Sequence, residues 1–212
     1  QYERGGDDSK TDIHCPMYID YEESEKYCKS DGVKPYIQCE YAHAMGNSEG
    51  GFKEYWDLIR KYPKYQGGYI WDFVDQGLRD KSPVTGKEIF TYGGDYGRYP
   101  ASDYNFNCNG IIAPDRRLNP HAYEIQYWHQ NVWIKDLDAV NGAFNIYNEN
   151  FFKNIDDLHL TATIYANGVK LSTVEIPETK GIAPQTTKMV KSDALKYAIA
   201  EAESEHGKEE IT

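Results

Sequence analysis

The chain has 212 residues, of which 40% are hydrophobic and 14% aromatic, and its 34 acidic and 23 basic side chains leave a formal net charge of −11. That length suits one large domain or two small ones around a sizeable core, while the negative charge argues against a nucleic-acid partner and disfavours an anionic membrane surface. No run approaches the roughly 18 apolar residues of a membrane-spanning helix, Gln1 does not begin a signal peptide, and the missing initiator Met suggests a piece of something longer.

Residues 1–10 read as a short strand end running into a polar Gly-Gly-Asp-Asp loop. Ile13, Cys15 and Met17 then alternate ahead of Tyr18, as in a buried strand. Residues 20–30 (DYEESEKYCKS) predict a surface helix whose acidic first turn suits the helix dipole, ended by Asp31-Gly32. Tyr36, Ile37 and Cys39 form a second buried-strand pattern that delivers Glu40, Tyr41 and His43 in quick succession. Gly46-Asn47-Ser48 supplies turn residues and a helix cap.

Phe52, Tyr55, Trp56 and Ile59 follow at the i, i+3, i+4, i+7 spacing of an amphipathic helix, which Tyr62-Pro63 stops. The run GGYIWDFVD is strand-like and leads to Trp71, Asp72 and Asp75. Strand, helix, strand, helix, strand at short spacing implies parallel βα units. Residues 76–115 read mostly as loop, rich in Gly, Asp and Tyr, and a loop of that length is usually functional. Residues 120–130 read as a helix with Pro120 in its first turn.

Beyond about Val132 the texture changes. AFNIYN, LHLTATIY and VKLSTVEI alternate apolar and polar residues, and Ala166-Asn167-Gly168 joins the last two as a hairpin. An antiparallel β domain of sandwich type is expected, with about five strands where a sandwich wants about seven. Glu210-Ile211-Thr212 looks like the opening of another strand.

A carboxylate at the end of a buried strand, with a His three residues on, is where barrel enzymes keep catalytic groups. Glu40 and His43 have that relation, and Tyr18 and Trp71 also lie at strand ends, so three consecutive strands would set them around one barrel mouth. A carboxylate beside a phenol and an indole wall suits sugar cleavage. Each residue alone also has a plainer reading: Glu40 as a helix cap or Lys partner, His43 as a structural hydrogen-bonder, Trp71 as core, Asn109-Gly110 as a turn. His14, His121, His129 and His159 show no metal spacing and are treated as background. The acidic pairs Asp7-Asp8 and Asp156-Asp157 and the run Lys208-Glu209-Glu210 read as solvated surface. Cys15, Cys28, Cys39 and Cys108 lack CxxC spacing and a paired His, so buried free thiols are expected rather than a zinc site.

The runs CPMY (15–18), CEYAHAMGNS (39–48) and QGGYIWDFVDQ (66–76), followed by YGGDYG (92–97) and NFNCNG (105–110), closely resemble the large bacterial β-galactosidases of glycoside hydrolase family 2. The resemblance covers residues 1 to about 132 closely and the remainder loosely. It implies a partial (β/α)8 TIM barrel, strands five to eight, over residues 1–132, and the start of an immunoglobulin-like β-sandwich over 133–212. Residue by residue, it makes Glu40 the catalytic nucleophile and Tyr18 its hydrogen-bonding tyrosine. His43 and Trp71 become galactose contacts, and Asn109 touches both substrate and a sodium ion that the Phe106 carbonyl also binds.

The implied substrate is a β-galactoside and the implied assembly, when intact, a homo-oligomer with the rest of the enzyme chain. The departures concern the second carboxylate and magnesium. The family's acid/base Glu follows an Asn at the end of the fourth barrel strand, and the one Asn-Glu here, Asn148-Glu149, lies in the β domain with the wrong surroundings. The acid/base and the magnesium ligands are therefore expected upstream of this sequence, and the isolated chain is expected to have little or no turnover. Two alternatives stand beside this reading: a non-catalytic sugar-binding or assembly module, and a related glycosidase acting on a glucuronide or mannoside.

Overall fold

The computed structural model describes residues 3–6, 9–98, 101–177 and 179–212. The strand end expected at residues 1 and 2 and the Asp7-Asp8 pair lie outside the described residues, as do Tyr99 and Pro100 of the long loop. The chain divides into two compact units, Gln1–His129 and Gln130–Thr212.

The first unit is built on parallel strand pairing. β1 (Tyr36–Tyr41) pairs in parallel with β2 (Tyr65–Ile70), with Tyr36 opposite Tyr65 and Cys39 opposite Tyr69. Along the other edge of β1 run residues 14–18: Ile37 N donates to His14 O (3.1 Å) and Cys39 N to Pro16 O (2.9 Å). This segment makes an isolated bridge at His14 rather than the expected full strand. Pro16 has no N–H to give to a ladder, and Tyr18 turns away at φ 52°. Beyond β2, residues 72–75 pair in parallel with 109–112 through Asp72 N to Asn109 O (2.7 Å), Ile112 N to Phe73 O (3.1 Å) and Asp75 N to Ile112 O (2.9 Å). Four successive parallel segments result. They form an open sheet, with no closed barrel among the described residues.

The helices follow the patterns that predict them. Asp20 Oδ1 accepts from Glu23 N (2.8 Å) to cap α1 (Tyr21–Lys29), whose first turn carries Glu22 and Glu23. α2 (Phe52–Lys61) lays its stripe on both halves of the core: Ile59 against Tyr36 and Tyr65, and Phe52, Tyr55 and Trp56 against Tyr41 and Ile125. Arg60 spans α2 and α3 (Ala122–Trp128), with its guanidinium 5.0 Å from the Trp56 ring centre and an N–H donated to Trp128 O (2.9 Å).

The core is rich in tyrosine, so its hydroxyls need partners. Tyr36 exchanges a hydrogen bond with Ser24 (2.8 Å), while Gln38 donates to the Tyr65 hydroxyl (2.9 Å) and accepts from Ile19 N (2.8 Å).

Four local expectations are corrected. Ser48 caps no helix; its hydroxyl donates to His43 O. The N-cap of α2 is Gly51, at φ 79°, where an added Cβ would collide with the Tyr21 hydroxyl. Pro120 precedes the N-cap His121 instead of entering the first turn of α3. Part of the expected loop is a hairpin, β3 (Leu78–Lys81) with β4 (Glu88–Thr91), whose connection is organised by the Ser82 hydroxyl accepting from Val84 N and Thr85 N. Of the four thiols, Cys15 and Cys28 are buried as expected, but Cys39 is half-buried and Cys108 exposed.

The second unit holds an antiparallel sheet of β5 (Val132–Asp138), β6 (Ala143–Asn148) and β9 (Thr186–Lys191), in that order, and the hairpin β7 (Leu160–Ala166) with β8 (Val169–Ile176). Asn167 (φ 47°) and Gly168 (φ 77°) supply the two left-handed residues of a tight hairpin turn. Ile211 bridges Ala166, and Tyr165 N donates to Thr212 O (2.9 Å), so the final residues pair against β7.

The purely β expectation misses α4 (Asp193–His206), capped by Ser192 Oγ accepting from Leu195 N (3.2 Å). Its Leu195, Ile199 and Ala202 join Phe144, Ile146 and Val190 of the sheet and Ile164 and Ile176 of the hairpin in one core.

Candidate functional site

Four residues singled out by their sequence position lie together in the first unit: Tyr18, Glu40 and Trp71, where residues 14–18, β1 and β2 finish, and Asn109, where 109–112 begins beside Asp72. The hydrogen bonds that carry the sheet into this end are Tyr18 N to Glu40 O (2.7 Å), Ala44 N to Trp71 O (2.9 Å) and Asp72 N to Asn109 O (2.7 Å). Parallel pairing thus brings together residues separated by up to 91 positions, and a shared strand end is where parallel α/β folds place their chemistry.

At the centre, the Tyr18 hydroxyl donates to Glu40 Oε2 at 2.5 Å. Partial burial, then that hydrogen bond and the Glu40 charge, push the phenol well above its usual pKa, so Tyr18 stays protonated and remains a donor. The His43 ring lies between two aromatic neighbours, 5.7 Å from Tyr18 and 5.4 Å from Phe106 by ring centres, and its Nδ1 accepts from Met45 N at 3.3 Å. The loop that swings His43 into place uses left-handed backbone at Ala42 (φ 49°), Gly46 (φ 67°) and Glu49 (φ 66°).

Three polar atoms at this end are shielded from solvent and have no hydrogen-bond partner: Trp71 Nε1, Asp72 Oδ1 and Asn109 Oδ1. Buried polar atoms are ordinarily paired. One donor and two acceptors left open at the ends of adjacent segments suit a polyhydroxylated ligand.

Asn109 is fully buried, and its amide Nδ2 meets the Phe106 carbonyl. Turning that amide would point Oδ1 at the same carbonyl, and two oxygens converging on one point are the donor set of a hard cation. These two oxygens would make at most part of a cation site, since a hard cation takes about six or more.

Gly110 fixes the height of this strand end. Its N–H donates to Asp75 Oδ1 (2.8 Å), and its carbonyl accepts from Asn119 Nδ2 (2.8 Å) and from His121 Nε2 (3.0 Å). An added Cβ would collide with the backbone at Asp75 N and Val74 C, so only glycine fits there.

Tyr18, Glu40, His43, Trp71, Phe106 and Asn109, the candidates that the sequence offers, all lie at this end of the sheet. The sequence alone assigns no role to Asp72 or Asp75 and leaves His121 as background. The adjacency of Asp72 to Trp71 was the available signal for the first; the roles of Asp75 and His121 depend on tertiary contacts alone.

The family model described as glycosyl hydrolases family 2, TIM barrel domain, matches residues 2–134. A Beta-galactosidase of Clostridium acetobutylicum is 45% identical over 152 residues, 72% of this chain and 16% of that protein. One from Halalkalibacterium halodurans is 42% identical over 165 residues (77% and 16%), and one from Leuconostoc mesenteroides is 39% identical over 206 residues (90% and 20%). This chain therefore spans only 16–20% of the length of these relatives. With more than half of its residues matched by that domain, the chain belongs to glycosyl hydrolase family 2 and contains part of its TIM barrel.

Proposed function

We propose that this chain is the nucleophile-bearing part of a retaining β-galactosidase. The observation that carries the reading is the Tyr18–Glu40 hydrogen bond where three parallel segments end and 109–112 begins, 2.5 Å long and flanked by open polar atoms. The relatives named Beta-galactosidase support the choice of sugar. In this reading residues 1–132 are the barrel portion, strands five to eight, and 133–212 begin an immunoglobulin-like β-sandwich.

In the first step Glu40 attacks the anomeric carbon, the glycosidic C–O bond breaks, and an acid elsewhere in the enzyme protonates the leaving oxygen. The product is a galactosyl ester on Glu40. In the second step a water oxygen attacks the same carbon, its proton goes to the base form of that acid, and Glu40 leaves as a carboxylate. Tyr18 orients Glu40 for attack and stabilises its returning charge. His43, the Trp71 indole and Asn109 hold the sugar.

A sodium ion bound by Phe106 O and Asn109 Oδ1 would offer a positive point for a sugar hydroxyl to coordinate. The acid/base carboxylate and the magnesium ligands belong, in this reading, to parts of the enzyme outside this sequence, and the isolated chain turns over little or no substrate.

The test is a panel of aryl β-glycosides (galactoside, glucuronide, mannoside) given to a polypeptide of the relatives' full length that contains this chain. Preferential cleavage of the galactoside supports the reading. Preference for another sugar would keep the chemistry and overturn the substrate. Saturable galactoside binding without cleavage, unchanged by Glu40→Gln, would leave only a sugar-binding module.

A further inference from the structure

Two groups beneath the Asn109 strand end take no part in the chemistry above. Glu49, in the loop between β1 and α2, has a side chain with 0% exposure, and neither carboxyl oxygen has a hydrogen-bond partner. His121, at the start of α3, places Nε2 at 3.1 Å from Glu49 Oε2. The short distance is not itself a hydrogen bond, because the ring N–H points at the Gly110 carbonyl 3.0 Å away. The imidazole is thus wedged between a buried carboxyl and the one peptide group that fixes the Asn109 end.

An unpartnered carboxyl this deep calls for an explanation. Burial, and then the nearby Glu124 carboxylate, push Glu49 up to about 8, so near neutral pH it is mostly protonated and tolerated without an ion partner. It remains a polar wall against which His121 is held.

We propose that His121, backed by Glu49, is a positioning residue for Asn109: it fixes the Gly110 carbonyl and thereby the height at which the Asn109 amide is presented. Gly110 is then held by three side chains from two segments, Asp75 on its N–H and Asn119 and His121 on its carbonyl. Filling both carbonyl acceptor sites fixes the Gly110–Ile111 peptide plane, and the Asp75 bond to the Gly110 N–H fixes the neighbouring Asn109–Gly110 peptide. The link to the sugar rests on the role given to Asn109 above; the link to the strand end does not.

The test is residue-resolved amide hydrogen exchange on the 212-residue chain, comparing His121→Phe, His121→Gln and Glu49→Leu with the parent. The Gly110 amide, bonded to Asp75, and the Asp72 amide, bonded to Asn109 O, report the strand end; the Cys39 amide in β1 is the reference. In His121→Phe and Glu49→Leu the Gly110 and Asp72 amides should exchange about 10-fold faster or more while Cys39 is unchanged, and His121→Gln, which keeps a donor, should restore slow exchange.

Equal protection in all variants would overturn the proposal, as would a uniform rise that includes Cys39 and is not rescued by Gln. A His121→Phe chain that fails to fold leaves Glu49→Leu and His121→Gln to decide on the same amides. In the full-length enzyme His121→Phe should raise KM for the galactoside about 10-fold with little change in kcat. If the parent enzyme binds no galactoside, the sugar reading fails while the exchange pattern still decides the positioning role.

Discussion

Tyr18 is tied to Glu40 at both ends, its backbone N–H on the Glu40 carbonyl at 2.7 Å and its hydroxyl on the Glu40 carboxylate at 2.5 Å. The backbone at Tyr18 is left-handed, φ 52°, a conformation that costs non-glycine residues roughly 1–3 kcal/mol and persists where the surroundings over-determine it. The two bonds to one partner supply that constraint. Tyr18→Phe keeps the backbone bond and removes the other. A hydrogen bond to a charged group contributes about 1.5–3 kcal/mol, so release of the sugar from Glu40 should slow by about 10- to 100-fold. Pre-steady-state kinetics in the full-length enzyme would read this as accumulation of the glycosyl-enzyme; an unchanged release rate would remove Tyr18 from the mechanism.

Gly110→Ala should damage the same site from below. The new methyl would have to move the backbone of Asp75 and Val74, with which it would collide. Overpacking of a tight site costs about 1–3 kcal/mol, more where backbone must shift. Urea denaturation of the first unit should show that loss. A variant as stable as the parent would mean that the contact is not tight in solution.

Glu49 gives the fold a pH signature. Its carboxyl is raised from 4.5 to about 8 in the folded state by burial and by Glu124, with His121 as its near polar neighbour. The folded chain therefore binds more protons than the unfolded chain between those values. This contribution to stability is complete below pH 4.5 and declines as pH rises to about 8. Its full size is on the order of a few kcal/mol. Glu49→Gln, neutral at every pH, should match the parent near pH 4.5 and exceed its Tm near pH 8. Parallel Tm profiles for the two proteins would show that Glu49 is not held neutral.

Where local pattern decides structure, the sequence was readable. The acidic first turn and Asp20 cap of α1, the Phe52–Tyr55–Trp56–Ile59 stripe of α2 and the Asn167-Gly168 turn depend on neighbours within one helical turn or one hairpin. The meeting of Tyr18, Glu40 and Trp71 was legible for a related reason, since parallel pairing puts strand ends together; the roles given to them come from the family resemblance and not from position.

What stayed hidden depends on other physics. Residues 14–18 look like a strand, but Pro16 and the turned Tyr18 leave only a bridge. Helix α4 was overlooked because alternation dominates the segment before it, although Ser192 and the Leu195–Ile199–Ala202 spacing mark it. The β3–β4 hairpin sits in a polar stretch whose β3 face is exposed, with no apolar alternation to reveal it. The Glu49–His121 wedge joins residues 72 positions apart through packing alone.

The most direct measurement of the central claim uses a 2-deoxy-2-fluoro-galactoside with a strongly activated leaving group, which needs a formed pocket and a nucleophile but hardly an acid. The reagent would be given to the 212-residue chain and to the full-length enzyme, with the adduct mapped by peptide mass. The account predicts a fluorogalactosyl ester on Glu40 in the full-length enzyme, lost in Glu40→Gln and, in the isolated chain, on the same residue wherever labelling occurs. An ester on another carboxylate, or a full-length enzyme that cleaves galactosides yet never carries the label on Glu40, would contradict it.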